Sequence, residues 1–357
     1  MSENKIVKLN RMPAITWYWL KMNETSVEVS PEVKEAAVSA EVPASISVSG
    51  AAALPEMLTG SGKAMSAVVD ESGVPVQTYT AAAGVKEEAP VRLHFSYENG
   101  AEQVNAVDLV VEDNAEMTVV MNYTSDAEAA GNGIVRTRLN IGENALLKLV
   151  QIERVGKEFT FVNDLGGQVA ESGNVEIIHL FLSGKKTCQG SRIDLIGKKS
   201  QMKLDIAYRL QGEDRLDMNY EINHIGRKTE CEIAVNGVMR DHSAKVFRGT
   251  IDLRKGACGA VGNEIEDVLL MDDDVRCETI PVILCSEEDV VGNHGATIGR
   301  LDEDLMFYME SRGMNKEEIY EMMAGARIMA LVGKIPDAQT REELVAYLGG
   351  NAEDDEE

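Results

Sequence analysis

Aromatic residues make up only 5% of this 357-residue chain, with six Phe, nine Tyr and two Trp. A core with so few rings must fill with Val, Ile, Leu, Met and Ala, which suits many short stacked strands better than a wide aromatic-filled sandwich. Cationic side chains are also in deficit: 35 Lys and Arg stand against 60 Asp and Glu, a formal net charge of −25. A surface of that sign repels phosphate backbones and anionic headgroups, which argues against nucleic acid and membrane surfaces as partners. The five cysteines (Cys188, Cys231, Cys258, Cys277 and Cys285) are odd in number and widely spread, so they do not compose a disulfide framework. No run approaches the roughly 18 apolar residues of a membrane span. The opening MSENKIVKLNRMP has neither an apolar h-region nor a small-residue cleavage site. Together these features predict a reduced, cytoplasmic protein. Catalytic signatures are missing as well: the chain has no GxxxxGK(S/T), GxSxG or HExxH, and no Cys-x-x-Cys pair. It does not read as an autonomous enzyme.

What is present divides by texture. Residues 1–90 form a heterogeneous N-terminal region whose opening segment, PAITWYWLKMNE, carries both Trp17 and Trp19 and leads into a Val/Ala/Ser-rich passage without helical periodicity. From 91 to 300, short runs such as VRLHFSY, EMTVVMNY, NVEIIHLFL, MKLDIAYRL and CEIAVNGV alternate apolar and polar residues between Gly, Asn and Asp breaks. That is the pattern of half-buried strands, and the lack of intervening helix-length segments excludes βαβ units. A repeat selects among all-β architectures. Ile193 to Leu204 (IDLIGKKSQMKL) aligns without gaps to Ile222 to Ile233 (INHIGRKTECEI), an offset of 222 − 193 = 29, and IDLRKG from Ile251 recurs after another 251 − 222 = 29. A fixed period in this range marks stacked repeats, and β-type units make that a β-solenoid.

Residues 301–350 read as a helical module. Asp302 is positioned as an N-cap, Asn315 with Glu318 and Thr340 with Glu343 form capping-box patterns, and Met322, Met323 and Met329 give one helix a methionine stripe suited to adaptable contacts. Residues 351–357 close the chain as an acidic tail. Among candidate chemical groups, His294 is expected in a Gly-flanked turn where a ring nitrogen could reach a metal. Cys188, flanked by Lys185 and Lys186 in GKKTCQG, is expected to be exposed with a lowered pKa. Cys231 is expected inside a strand, and Cys277 and Cys285 are expected either as small core hydrophobes or as thiolate ligands. The acidic run Glu264, Glu266, Asp272, Asp273 and Asp274 is expected either to line solvated turns or to attract ferrous iron.

The stretch Gly292 to Gly313, GNHGATIGRLDEDLMFYMESRG, resembles the C-terminal signature of the SufB/SufD family of the Suf iron–sulfur cluster assembly machinery. The His-Gly-Ala order looks more like the SufD branch. The resemblance implies a mainly β fold, a right-handed parallel β-helix core with a short N-terminal region and a small C-terminal helical module. It implies a scaffold without ATPase activity of its own, contributing to assembly of a transient iron–sulfur cluster shared across a β-helix interface. His294 would look toward that interface. The partners implied are a SufC-like ABC-type ATPase, docking on the helical module through Phe307, Tyr308, Arg312, Ile319, Met322 and Met323, and a SufB-like paralogue or a second copy of the chain. The chain departs from the family at Gly292, where SufD-like chains can carry a cysteine, at Gly295, where SufB-like chains carry a carboxylate, and at Ile265, near a SufB scaffold cysteine. Glu266, Cys277 and Cys285 are therefore the local candidates for cluster ligation beside His294, with further thiolates coming from a partner. A carbohydrate-active β-helix enzyme and a purely structural solenoid subunit are the other readings.

Overall fold

The 29-residue offset in the sequence is one coil of a parallel β-solenoid. Ile193 pairs with Ile222 and Ile222 with Ile251 across adjacent coils, and Leu204 pairs with Ile233 on the other sheet. The computed structural model describes residues 4–15, 18–30 and 32–350; Trp17 and the acidic stretch 351–357 lie outside the described residues.

Strands β1 (Lys5–Leu9) and β2 (Thr25–Val29) form an antiparallel hairpin. They are followed by β3 (Lys34–Glu35), β4 (Ala37–Glu41), β5 (Ile46–Ser49), helix α1 (Lys63–Glu71), β6 (Val76–Ala81) and β7 (Val91–Ser96). The regular coils then alternate between two sheets. One carries β8 (Glu102–Val111), β10 (Ala130–Ile141), β12 (Glu158–Val169), β14 (Lys186–Leu195), β16 (Arg215–His224), β18 (Ala244–Leu253) and β20 (Arg276–Cys285). The other carries β9 (Glu116–Thr124), β11 (Leu146–Arg154), β13 (Asn174–Ser183), β15 (Gln201–Leu210), β17 (Glu230–Met239), β19 (Val261–Leu270) and β21 (Val291–Gly299). About eight coils result. The sheets do not start at residue 91. β6 pairs in parallel with β8, and β5 and β4 close the N-terminal ends antiparallel against β6 and β7. These first strands are short and mixed in polarity, so their alternation is not visible in isolation.

Each coil turns one corner through a left-handed residue: Asn114, Asn144, Ser172, Lys199, Lys228 and Gly259, all with φ between 53° and 78°. The amide of each donates to the equivalent corner one coil on, from Asn114 to Glu143 O (2.8 Å) through Lys228 to Cys258 O (3.0 Å). A left-handed corner is tolerated by Asn and Gly at little cost, and the coil-to-coil hydrogen bond compensates where Ser or Lys occupies it. Five of the six Phe residues (Phe95, Phe159, Phe161, Phe181 and Phe247) are buried between the two sheets. There Phe95, Tyr123 and Phe161 stack in succession with centroids 5.1 and 4.9 Å apart.

Both outer faces are covered. The β1–β2 hairpin and α1 lie over the first sheet, burying Val7, Leu9, Met65, Val68 and Val69 with Val104, Ile134, Val162 and Cys188. Helix α1 begins directly after the passage through Gly62 that shows no helical periodicity; only Met65, Val68 and Val69 of its nine residues are buried, too few to show a stripe. The second sheet is covered by α3 (Lys316–Val332) and α4 (Ala338–Gly350), which follow α2 (Glu303–Ser311). Ile328, Leu331, Val332, Ile335 and Leu344 pack there on Val150, Ile152, Ile178 and Leu180. Asp302 caps α2 and the Asn315–Glu318 capping box opens α3. The last helix is capped differently from expectation: Asp337 accepts from both the Thr340 amide (3.1 Å) and its hydroxyl (2.5 Å), so it takes the capping role assigned to Thr340. Among the described residues, no helix is long and apolar enough to cross a membrane.

The interior is not wholly apolar. Glu153 faces inward from β11 and accepts from the Thr187 hydroxyl, while its Oε2 has no partner among the described residues. Burial pushes its pKa up to about 8. Because the folded state holds this proton more tightly than the unfolded chain, the stabilisation is complete below the ordinary Glu range and is lost as pH rises through about 8. Glu153→Gln is therefore expected to flatten the decline in stability between pH 5 and 9, with a gain on the order of a few kcal/mol at the alkaline end. Urea unfolding of both proteins across that range checks it, and parallel pH profiles would contradict it.

Candidate functional site

Strands β20 and β21 are the last of their sheets, so among the described residues no strand lies against their outer edges. The strand period of two then decides which side chains fill the open end. From β19, Gly262, Glu264, Glu266 and Val268 point inward; their register partners on β21 are Gly292, His294, Ala296 and Ile298. From β20, Cys277 and Thr279 point inward opposite Lys245 and Phe247 of β18.

His294 lies within β21, not in a turn. The flanking glycines suggested a break. Instead, Gly292 permits close packing: a Cβ there would meet Ile283 Cγ2 at 3.0 Å. The imidazole is a quarter exposed and its Nδ1 lies 3.0 Å from Glu264 Oε1. That hydrogen bond raises the histidine pKa above its ordinary value, against the opposing effect of desolvation. Burial likewise raises Glu264. With Nδ1–H donated to a carboxylate, Nε2 is the nitrogen that carries the lone pair in the neutral ring. A carboxylate behind a histidine in this way is how proteins orient a metal-ligating imidazole.

Behind the pair lies an ionic group that sequence reading missed. Lys245 and Glu266 are both fully buried and in contact, and Thr279 Oγ1 lies 2.8 Å from Lys245 Nζ and donates to Glu266 Oε2 at 2.7 Å. The signal was available, because Lys245 holds the same strand phase as the inward Phe247, Gly249 and Ile251 of AKVFRGTIDL. Glu264 and Glu266 thus do not line a solvated turn; that description fits only Asp272 to Asp274, which lie between β19 and β20. Gly249 makes room for Glu264, whose Oε2 would lie 1.8 Å from any Cβ at that position.

The thiols separate. Cys277 is half-buried beside Lys245; burial raises its pKa, and the ammonium pulls it back in part. Cys285 is exposed at the far end of β20, with Sγ 3.1 Å from Glu287 O, and does not act as a core hydrophobe. It stands 285 − 277 = 8 residues from Cys277, about 26 Å along a strand, and so does not join the group. Cys231 is buried as expected, against His224 Nε2 at 3.2 Å. Cys188 is not exposed: GKKTCQG runs into strand β14, and Cys188 lies beneath the N-terminal hairpin with its pKa raised by burial. The structure therefore brings His294, Glu264, Glu266 and Cys277 to one open end. Among the described residues, no group of three His, Cys, Asp or Glu side chains converges closely enough to hold a metal ion. The donors fit a cluster as a partial set, in which the His294 side chain is a quarter exposed while Glu264 and Glu266 are buried.

A second surface lies on the helices. Phe307 is the one Phe outside the core, 73% exposed, and Tyr308 beside it is stacked under the Arg312 guanidinium at 4.9 Å. Met322 is exposed, while Met323 packs against the cluster that holds α3 to the solenoid. Ile319 is fully buried in that cluster with Val238 and Leu269, so it anchors the helix and is not available to a partner. Tyr320 adds a hydrogen bond to Leu210 O (3.2 Å) under Arg240 at 4.4 Å.

Comparison with known proteins places these features in a family. The family described as SUF system FeS cluster assembly, SufBD core domain, matches residues 94–327. The chain is 26% identical over 269 residues to iron-sulfur cluster assembly protein SufD of Bacillus subtilis (strain 168), covering 74% of this chain and 61% of that protein. It is 23% identical over 350 residues to SufD of Escherichia coli (strain K12), covering 90% of this chain and 82% of that one. An iron-sulfur cluster assembly SufBD family protein of Mycobacterium tuberculosis (strain CDC 1551 / Oshkosh) is 27% identical over 169 residues, or 47% of this chain and 20% of its own length.

Proposed function

The chain belongs to the SufBD core family of the SUF system, on its SufD side, and from that premise we propose that it is a cytoplasmic scaffold subunit for iron–sulfur cluster assembly. The observation that carries the reading is the open end of the solenoid, where Glu264 holds Nδ1 of the part-exposed His294 on β21, and where among the described residues no strand covers the outer edges of β20 and β21. Free backbone donors and acceptors on β20 and β21 suit strand addition by a second solenoid, either a SufB-like paralogue or another copy. The nascent cluster is cargo at that junction: His294 supplies one ligand, Cys277 and Glu266 border it, and the partner supplies further thiolates. The chain itself does not hydrolyse ATP. A SufC-like ABC-type ATPase docks on α2 and the exposed flank of α3, through Phe307, Tyr308, Arg312 and Met322. Methionine and aromatic side chains on an exposed helix suit such a surface, since burying one Phe contributes on the order of 1.5–3 kcal/mol.

Anaerobic affinity purification from the native host tests the reading. Recovery of an ABC-type ATPase and of a SufB-like chain or a second copy is expected, with visible cluster absorption in the eluate. Phe307→Asp combined with Tyr308→Asp is expected to lose the ATPase while leaving the melting temperature unchanged, because both side chains are exposed. A colourless protein without either partner would leave a purely structural solenoid.

A further inference from the structure

The covered outer face of the first sheet contains a groove that the scaffold reading does not use. A cavity of about 210 Å³ opens between residues 21–25 of the hairpin connection and the starts of β14, β16, β18 and β20. Strand register sets Lys186, Arg215, Ala244 and Arg276 in one row across its wall. Strands about 4.8 Å apart place Arg215 and Arg276 on either side of Ala244, roughly 10 Å from each other. The Ala244 methyl leaves space between the two guanidinium-bearing side chains. Lys21, held in the left-handed region at φ 55°, closes the row from the opposite wall.

Five cationic residues offer their charge to this cavity (Lys21, Lys186, Arg215, Arg248, Arg276) against three acidic ones, in a chain of net charge −25; Lys245, also at its wall, turns its side chain into the solenoid interior toward Glu266. The three carboxylates are already engaged. Glu24 pairs with Lys8, Asp217 holds Arg248 through both oxygens and also accepts from Asn10, and Glu278 pairs with Arg276. Lys186 donates to the Ser26 carbonyl at 2.6 Å and has no carboxylate partner among the described residues. Among the described residues, Lys21 and Arg215 form no ion pair. Three cations that have no counter-charge among the described residues thus converge on one small cavity whose walls are fixed by a buried Arg248–Asp217 pair. The space is too small for a helix or a folded partner, and the molecule's overall charge opposes an anionic membrane.

We propose that this groove binds a small diphosphate-bearing ligand, with Lys21, Lys186 and Arg215 contacting its phosphate oxygens and Arg276 at the rim. Two adjacent anionic centres match a row of separated cations better than a single carboxylate does, and guanidinium groups favour phosphate geometrically. Titration calorimetry of the full chain with inorganic pyrophosphate at low ionic strength tests it, beside ADP and an oligoglutamate peptide. Pyrophosphate binding is expected, weakening as salt screens the groove. Lys21→Ala combined with Arg215→Ala is expected to weaken it by at least about tenfold, the loss of two charge-assisted contacts, with circular dichroism unchanged. Arg215→Ala alone should give an intermediate loss. Tighter binding of ADP would assign the diphosphate to a nucleotide, and equal binding would assign it to the diphosphate group alone. No heat with pyrophosphate, an unchanged affinity in the double variant, or preference for the peptide would overturn the proposal.

Discussion

Lys245→Met is expected to destabilise the protein by about 3–5 kcal/mol, because it strands the Glu266 carboxylate at a position with no solvent contact. Among the described residues, the Thr279 hydroxyl at 2.7 Å would remain as the one hydrogen-bond donor to that group. One neutral hydrogen bond does not replace an ammonium in a dry interior. Met fits the space of the lysine stem, so the loss measures charge and not volume. Converted through the unfolding entropy of a chain this size, it amounts to a fall in melting temperature of about 4–7 °C. The double variant Lys245→Met with Glu266→Met is expected to recover most of the loss, since replacing both members of a buried pair by apolar groups is often neutral. Scanning calorimetry of the two variants decides it. A single variant within about 1 kcal/mol of wild type would mean that water reaches the pair through the open end.

Register was the most legible property of this chain. The Ile193–Ile222–Ile251 spacing is the observed pairing because each coil stacks on the next without insertion, so a local pattern repeats as a spatial one. The same sequence misled wherever a residue's environment is set from far away. Cys188 is flanked by lysines, yet what covers it is Val7 and Leu9 from the hairpin, where Asn10 donates to Gln189 O at 3.1 Å across 179 positions. Glu266 read as a residue of a solvated turn or a cluster ligand because its counter-ion comes from β18 on the opposite sheet, 266 − 245 = 21 residues away. His294 was found by its motif and misplaced by its glycines: a solenoid strand accepts Gly where an inward neighbour such as Ile283 needs the room. Ile319 had the helical spacing of a partner-facing stripe, but spacing fixes a helix face without saying what that face meets.

The largest functional effect is expected from His294→Ala: several-fold less cluster-bound iron in the purified assembly, with unfolding little changed. The side chain contributes little to the core, being a quarter exposed on a terminal strand, so loss of cluster without loss of stability separates a ligand from a packing residue. Its protonation gives a second, independent signature. The Glu264 hydrogen bond holds the imidazole pKa above its usual value, and a proton on Nε2 competes with iron for the same lone pair. Cluster loading should therefore rise with pH through a range displaced upward from that of an ordinary histidine. Glu264→Gln removes the charge while keeping the shape, so that rise should move to lower pH, while looser orientation of the ring lowers the maximum. A merely structural Glu264 would change stability and leave the position of the profile where it was. Measuring iron and sulfide content after anaerobic reconstitution at a series of pH values distinguishes the two. If His294→Ala retains full loading, the ligands at this junction belong to Cys277 or to the partner, and the open end of the solenoid serves assembly through its strand edges alone.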